Sequence, residues 1–482
     1  MQRILILSAL LLLHAQPVVA KNYDLVIAGG RVIDPETGLD AVRNVGVSNG
    51  EILKISKRSL DGETVVDASG LIVAPGFIDR NTYTLGSDLF RIRVADGVTT
   101  TFNFEEGAFD VPAAYAAMEG KALINYGFSS SWGAARTQAA MQAPVEVKDG
   151  VAVTYPSEEI SNRALSDDEL TEMLALIEEG LKAGAPAVGV GVEYAPGATN
   201  SEILAVFRLA AEYNRSVQIH MRAWNKTTDH QDMYEVIAGA AITGASIHIS
   251  HLNSSGDEYT PRYLGFIEEA NRRGLSVSTE CYPYAAWMTD IRAPFLSDWR
   301  EWPDEAFSRF EWPETGERLT RETFERYREK GGFVIGHVSN DAWVNACVEH
   351  PETFIASDGG WDGGKTHPRV AGSNARFLGE YVREKGVFTL SRAIRKLALA
   401  PAMSLEQAAP QMSKKGRLQE GMDADIVIFN AETVIDQATY KEPVLPSRGI
   451  ETVIVGGTVI YHAGEFRENS YPGAAIRLAP LD

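Results

Sequence analysis

At 482 residues the chain exceeds one typical domain, so a large unit plus a smaller one is expected. Its 45 basic and 65 acidic residues give a net charge of −20, which argues against a nucleic-acid partner and against binding an anionic membrane surface. The two cysteines, Cys281 and Cys347, are too few for a disulfide framework or a CxxC zinc site, and one bridge and two buried thiols both stay open.

The chain begins with Met1-Gln2-Arg3, an apolar run over Ile4–Leu13 and a small-residue stretch ending at Ala20. This reads as a cleaved secretory leader over residues 1–20, which places the mature protein in a periplasm or outside the cell. The apolar run is shorter than the ~20 residues a membrane span needs, so no stable membrane anchor is expected.

Residues 23–75 read as short strands broken by glycine. Leu25–Ile33 and Val453–Ile460 share one form, a strand, a Gly-Gly pair and a short strand. One small β-sandwich domain built from both chain ends, 21–75 and 413–482, is therefore expected. Between them, residues 76–412 alternate strands and helices. Asp167–Ala183, Ser201–Tyr213, Gln231–Gly239 and Tyr263–Arg273 carry apolar residues at helical spacing. Val188–Val192, Ser216–Ile219, Ala245–Ser250, Leu275–Glu280, Phe333–Val338 and Phe354–Ser357 read as strands. Repeated β–α units favour a (β/α)8 barrel. The alternative, a doubly wound open sheet, lacks a GxGxxG or P-loop fingerprint. Residues 284–332 break the rhythm with Trp287, Trp299, Trp302 and Trp312, several prolines and many charges, as an insertion or lid over the barrel mouth would.

Four strands run into ligand-type residues. Thr100–Phe104 leads to Glu105-Glu106, Ser216–Ile219 to His220, Ala245–Ser250 to His251, and Ile355–Ser357 to Asp358. A lone histidine after a strand is more often structural. Two histidines and two acids at successive strand ends suit a divalent ion such as Zn²⁺, because imidazole nitrogen and carboxylate oxygen are its common donors. Asp358 would then handle the proton of an attacking water.

Leu71-Ile-Val-Ala-Pro-Gly-Phe-Ile-Asp79, Gly97-Val-Thr-Thr, Glu193-Tyr-Ala-Pro-Gly197, His220-Met-Arg222, Ile249-Ser-His251, Tyr282-Pro-Tyr284, Ser357-Asp-Gly359 and His367-Pro-Arg369 occur in one order along nearly the whole chain. In this the sequence resembles the amidohydrolase superfamily and, more narrowly, the N-acyl-D-amino-acid deacylases (D-aminoacylases). The resemblance implies one divalent metal, zinc above others, held by His220, His251 and a side chain just after Gly-Val-Thr-Thr. By register that side chain is Glu106, with Glu105 as the alternative. It makes Asp358 the catalytic acid and base. The implied substrate is a small N-acylated amino acid whose carboxylate is clamped by Arg376 or Arg369, with Tyr282 or Tyr284 as hydroxyl donor. Arg222, Tyr83 and His337 are further pocket candidates, and Trp287 and Trp299 could line an apolar pocket. A homo-oligomer is compatible with all of this.

The sequence departs from the family pattern where His-x-His should follow Gly-Phe-Ile-Asp. It reads Arg80-Asn81-Thr82-Tyr83, so the pair that holds a second metal position is gone. Trp132 and Leu252-Asn253 are further departures. Three readings follow: a single-metal amide hydrolase, a remodelled enzyme performing cyclisation, isomerisation or C–N cleavage with Tyr83 as proton donor or acceptor, and a non-catalytic binding protein.

Overall fold

The computed structural model describes residues 23–83, 85–222, 230–361 and 363–481. The expected leader lies outside the described residues. Eight parallel strands form a barrel: β1 (Phe77–Asp79), β2 (Val98–Ala108), β3 (Asn125–Ser131), β4 (Ala187–Gly191), β5 (Ser216–His220), β6 (Ser246–Ile249), β7 (Val277–Cys281) and β8 (Phe354–Ile355). They neighbour one another in chain order. β8 returns to β1 through a parallel bridge between Thr82 and Gly359, and the Tyr83 amide donates to the Gly359 carbonyl at 2.9 Å. Asp79 helps the seam by accepting from the Ser357 amide at 3.2 Å, while buried Arg93 pairs with it at 2.6 Å.

Buried β-branched residues such as Val217, Ile219, Ile247 and Ile249 make these strands, since they fit a sheet covered on both faces. Helices pack outside. The helix Asp167–Lys182 starts in a reciprocal capping box, with Ser166 bonded to the Glu169 amide and Glu169 returning to the Ser166 amide.

Strand β3 gave little sequence signal because it reads Asn-Tyr-Gly-Phe-Ser-Ser-Ser, yet all of it is buried. Its serines are satisfied internally: Ser129 Oγ donates to the Phe104 carbonyl at 2.8 Å and Ser130 Oγ to the Ile177 carbonyl at 3.1 Å. Phe333–Gly336 is a correction. It is no barrel strand but pairs antiparallel with Trp287–Asp290 and Phe310–Trp312 in a four-stranded sheet of the insertion. An isolated apolar run cannot report which sheet it joins.

The domain from both chain ends is one mixed nine-stranded sheet. Ile72–Pro75 pairs antiparallel with Ile426–Phe429 and so joins the two ends. The sheet folds over its own core of Val32, Ile52, Val73, Ile426 and Ile454, and the Ile52 amide donates to the Met422 carbonyl across the fold.

Cys281, the last residue of β7, is bonded to Cys347 in the helix Asp341–Val348, with 6.1 Å between their Cα atoms. Closing a loop of 66 residues stabilises the fold by about 4 kcal/mol through the unfolded chain's entropy. Among the described residues no helix is long and apolar enough to cross a membrane.

Candidate metal centre and active site

All the strand-end residues meet at the C-terminal rim of the barrel, where (β/α)8 proteins place their chemistry. Glu105, His220 and His251, all buried, bring one ligand atom each to within 4.8 Å of one another. Glu105 Oε1 lies 2.9 Å from His220 Nδ1, and Glu105 Oε2 lies 3.2 Å from His251 Nε2. The other imidazole nitrogens are held from behind. His220 Nε2 meets Glu193 Oε2 at 2.6 Å, and His251 Nδ1 lies 3.0 Å from the hydroxyls of Ser254 and Ser255. These outer contacts orient the rings and leave His220 Nδ1 and His251 Nε2 facing inward.

Electrostatics match that geometry. Burial opposes charge on both Glu105 and His220, but their mutual attraction wins. Glu105 is held well below the usual carboxylate range by His251 and His220. His220 is pushed up to about 10 by Glu105 and Glu193. A divalent ion would replace that shared positive charge. Two imidazoles and a carboxylate are a common zinc donor set, so the residues fit the group.

The third partner of the histidines is thus Glu105, not Glu106 as register counting predicts. The pairing of β2 with β3 shifts between Asn103 and Ala108, and an irregularity of that kind exchanges the faces on which neighbouring residues lie. Glu106 lines the same cavity but is hydrogen-bonded by Asn103 Nδ2 at 3.2 Å. Burial, with Glu105 beside it, pushes Glu106 up to about 7.

Across the rim, Asp358 follows β8. Arg369 Nη1 ion-pairs with its Oδ2 at 2.5 Å, and the Tyr83 hydroxyl donates to its Oδ1 at 3.0 Å. Burial raises the Asp358 pKa, against the opposing pull of Arg369, His251 and Tyr83. Asp358 and His251 both have left-handed backbones, φ +48° and +31°. Such conformations cost a non-glycine residue about 1–3 kcal/mol and cluster at functional sites. Asn81 Nδ2 donates to Glu105 Oε2 at 2.9 Å. Arg80 turns the other way, into the barrel interior, toward Gln218 Oε1 at 3.3 Å and Ser404 Oγ at 2.6 Å.

A cavity of about 870 Å³ opens over this rim, and Tyr83, Glu105, His220, His251, Asp358 and Arg369 line it. Tyr282 stands beside the site with its ring 4.6 Å from the Arg369 guanidinium. The remaining substrate candidates lie outside the cavity lining. Arg376 pairs with Asp436 and Glu380 at 3.3 Å each, and Tyr284 also bonds Asp436, at 3.0 Å. Arg222 is engaged by Glu235 at 2.8 Å, and His337 by Glu311 at 3.0 Å. None of these four lines the cavity, whereas Arg369 does, with Asp358 as its acidic partner. Trp287 lines the cavity, whereas Trp299 packs on Phe307 and Phe324 within the insertion. The sequence alone gives Glu193 no role. The signal was present, since it follows the apolar strand β4 as the other site residues follow theirs.

Comparison with known proteins agrees with this architecture. The chain is 29% identical over 486 residues to a D-aminoacylase of Alcaligenes xylosoxydans xylosoxydans, covering 93% of this chain and 96% of that one. It is 28% identical over 474 residues to an N-acyl-D-glutamate deacylase of the same organism, covering 92% and 94%. The crystal structure of N-acyl-D-glutamate deacylase from Bordetella bronchiseptica, complexed with zinc and a phosphonate inhibitor, superposes with a TM-score of 0.79 at 25% identity, covering 95% of this chain and all of that one. A profile of the amidohydrolase family matches residues 64–461. That match takes in the whole barrel and the strands that carry every residue of the rim, and the chain belongs to the amidohydrolase family.

Proposed function

We propose that the protein is a metal-dependent hydrolase that cleaves the amide of an N-acyl amino acid, with zinc as the metal and a D-configured substrate. The observation that carries this reading is the Glu105/His220/His251 cluster facing Asp358 across one cavity. A divalent ion held by those three residues would polarise the scissile carbonyl and acidify the attacking water.

The chain's own groups supply the rest. Asp358 takes the proton of the attacking water and passes it to the leaving nitrogen. Its raised pKa suits that double task, because a carboxylate that binds a proton more readily is a better base. Tyr83 keeps its proton in this buried setting and fixes Asp358 Oδ1. Arg369 receives the substrate's α-carboxylate, and its position over Tyr282 sets the direction of approach. Glu193, Ser254 and Ser255 keep the two imidazoles in their ligating orientation.

A single ion is the natural occupancy. Asn81 and Tyr83 are neutral donors that already engage Glu105 and Asp358 on the β1 side. The leader-like start and the Cys281–Cys347 bridge support a periplasmic or secreted location, since disulfides persist in oxidising compartments. The reading is tested by hydrolysis of N-acyl-D- and N-acyl-L-amino acids by zinc-loaded protein. Turnover of the D series, lost on chelation, is expected. Full metal loading without turnover of any N-acyl amino acid contradicts it.

A further inference from the structure

The acids of the rim differ in what answers their charge. Glu105 has two imidazoles, Asp358 has Arg369, and Glu193 has His220. Glu106 has no such partner. Its Oε2 accepts from Asn103 Nδ2 at 3.2 Å, and among the described residues no basic side chain pairs with it. The charge that acts on it is that of Glu105, which repels. Yet Glu106 lines the cavity together with Glu105, His220 and His251.

Its placement is braced by the fold. Successive residues of a regular strand point to opposite faces, so Glu105 and Glu106 would not share one cavity in an unbroken strand. They do so here because the pairing of β2 with β3 shifts between Asn103 and Ala108. Asn103 holds that irregularity with both ends of one amide. Nδ2 donates to Glu106, and Oδ1 accepts from the Gly107 amide at 3.0 Å. Gly107 follows with a left-handed backbone, φ +75°, and a Cβ there would stand 2.4 Å from Ser129 Oγ. The result is a second carboxylate delivered to the cavity without a counter-charge, and a carboxylate withdrawn from water calls for one.

The lie of the substrate decides which part of it meets Glu106. The leaving nitrogen must reach Asp358 and the carboxylate must reach Arg369, so the amino-acid half occupies the β8 side. The acyl half extends the other way, toward the wall that follows β2 and β3, where Glu106, Gly107 and Ser131 line the cavity. Glu106 directly follows the residue proposed to hold the ion, so a group that meets it sits close to the scissile carbonyl.

We infer that the acyl half of the substrate carries an ammonium group one or two carbons from that carbonyl, and that Glu106 receives it. The substrate class is then an aminoacyl amino acid with a free amino end, not a plain alkanoyl one. This rests on the amide-hydrolase reading for the direction in which the substrate lies.

The test compares glycyl-DL-alanine with N-propanoyl-DL-alanine, which differ by an ammonium in place of a methyl group. Both are titrated calorimetrically at pH 7, where most of the amine is protonated, into zinc-loaded full-length Asp358→Asn protein, in which cleavage is slow. Their cleavage by wild type is followed separately. The glycyl compound is expected to bind about tenfold or more tightly than the propanoyl one, the worth of one charge-assisted hydrogen bond. Adding Glu106→Gln should bring the ratio close to one, and Glu106→Asp should restore part of it. A ratio that collapses in Glu106→Gln, without cleavage of either compound by wild type, would support the ammonium site and overturn the hydrolase reading. Cleavage with both compounds bound equally would do the reverse. A glycyl preference that survives Glu106→Gln would show the amine binding the ion instead, and loss of zinc in Glu106→Gln would make Glu106 a ligand. Either result overturns the inference.

Discussion

The two halves of the barrel rim are built on different electrostatic plans. On the β5–β6 side, two imidazoles converge on Glu105, and each ring is pinned from behind by Glu193 or by serine hydroxyls. On the β8–β1 side, Asp358 already has a cation in Arg369 and a donor in Tyr83. In the first half the imidazoles carry the charge that balances Glu105, and a divalent ion would replace it. The second is neutralised by the protein itself. Buried carboxylates need partners, and the difference shows that an ion and a guanidinium are alternative ways to supply one.

Substitutions on each side of the rim separate the two plans. The largest effect is expected from Asp358→Asn. It should lower turnover about a thousandfold, within the range general acid–base catalysis supplies, while metal content stays unchanged. Full activity would remove Asp358 from the mechanism. Arg369→Met comes next. It should raise KM for N-acyl amino acids about a hundredfold, with little change for an amide that lacks the carboxylate, because the lost bonds are charge-assisted. Equal losses on both substrates would make Arg369 a partner of Asp358 alone. On the other half of the rim, Glu193→Gln should weaken metal binding about tenfold or more, the usual cost of losing a ligand's outer partner. A competition titration with a chelator reads this directly.

The smallest effect belongs to Tyr83→Phe, a loss of about tenfold or less, and its signature is a pH shift. Asp358 must be ionised to act as base, so turnover falls as pH drops through its raised pKa. Tyr83 holds that pKa down by donating to Oδ1. Removing the hydroxyl should move the acid limb of the rate profile to higher pH. An unmoved limb would show that Tyr83 does not control Asp358.

Much of this was legible in the sequence. His220, His251 and Asp358 each follow a short stretch that reads as a buried strand, and parallel barrels gather such ends at one rim. Glu105 was ambiguous for a physical reason, since a break in pairing inside β2 decides which of two adjacent acids faces the histidines. Arg369 and Arg376 could not be ranked because the difference lies in tertiary partners: one meets Asp358, the other Asp436. Strand β3 was hidden by its serines, whose burial depends on acceptors supplied by distant segments. Local pattern reports burial well, and it reports pairing poorly.

The proposed function stands on one ion held by Glu105, His220 and His251. Elemental analysis of zinc-loaded wild type, Glu105→Gln, His251→Ala and Glu106→Gln tests it most directly. About one equivalent is expected in wild type and in Glu106→Gln, and none in Glu105→Gln or His251→Ala. No metal in the wild type, two equivalents, or loss of metal only in Glu106→Gln would contradict it.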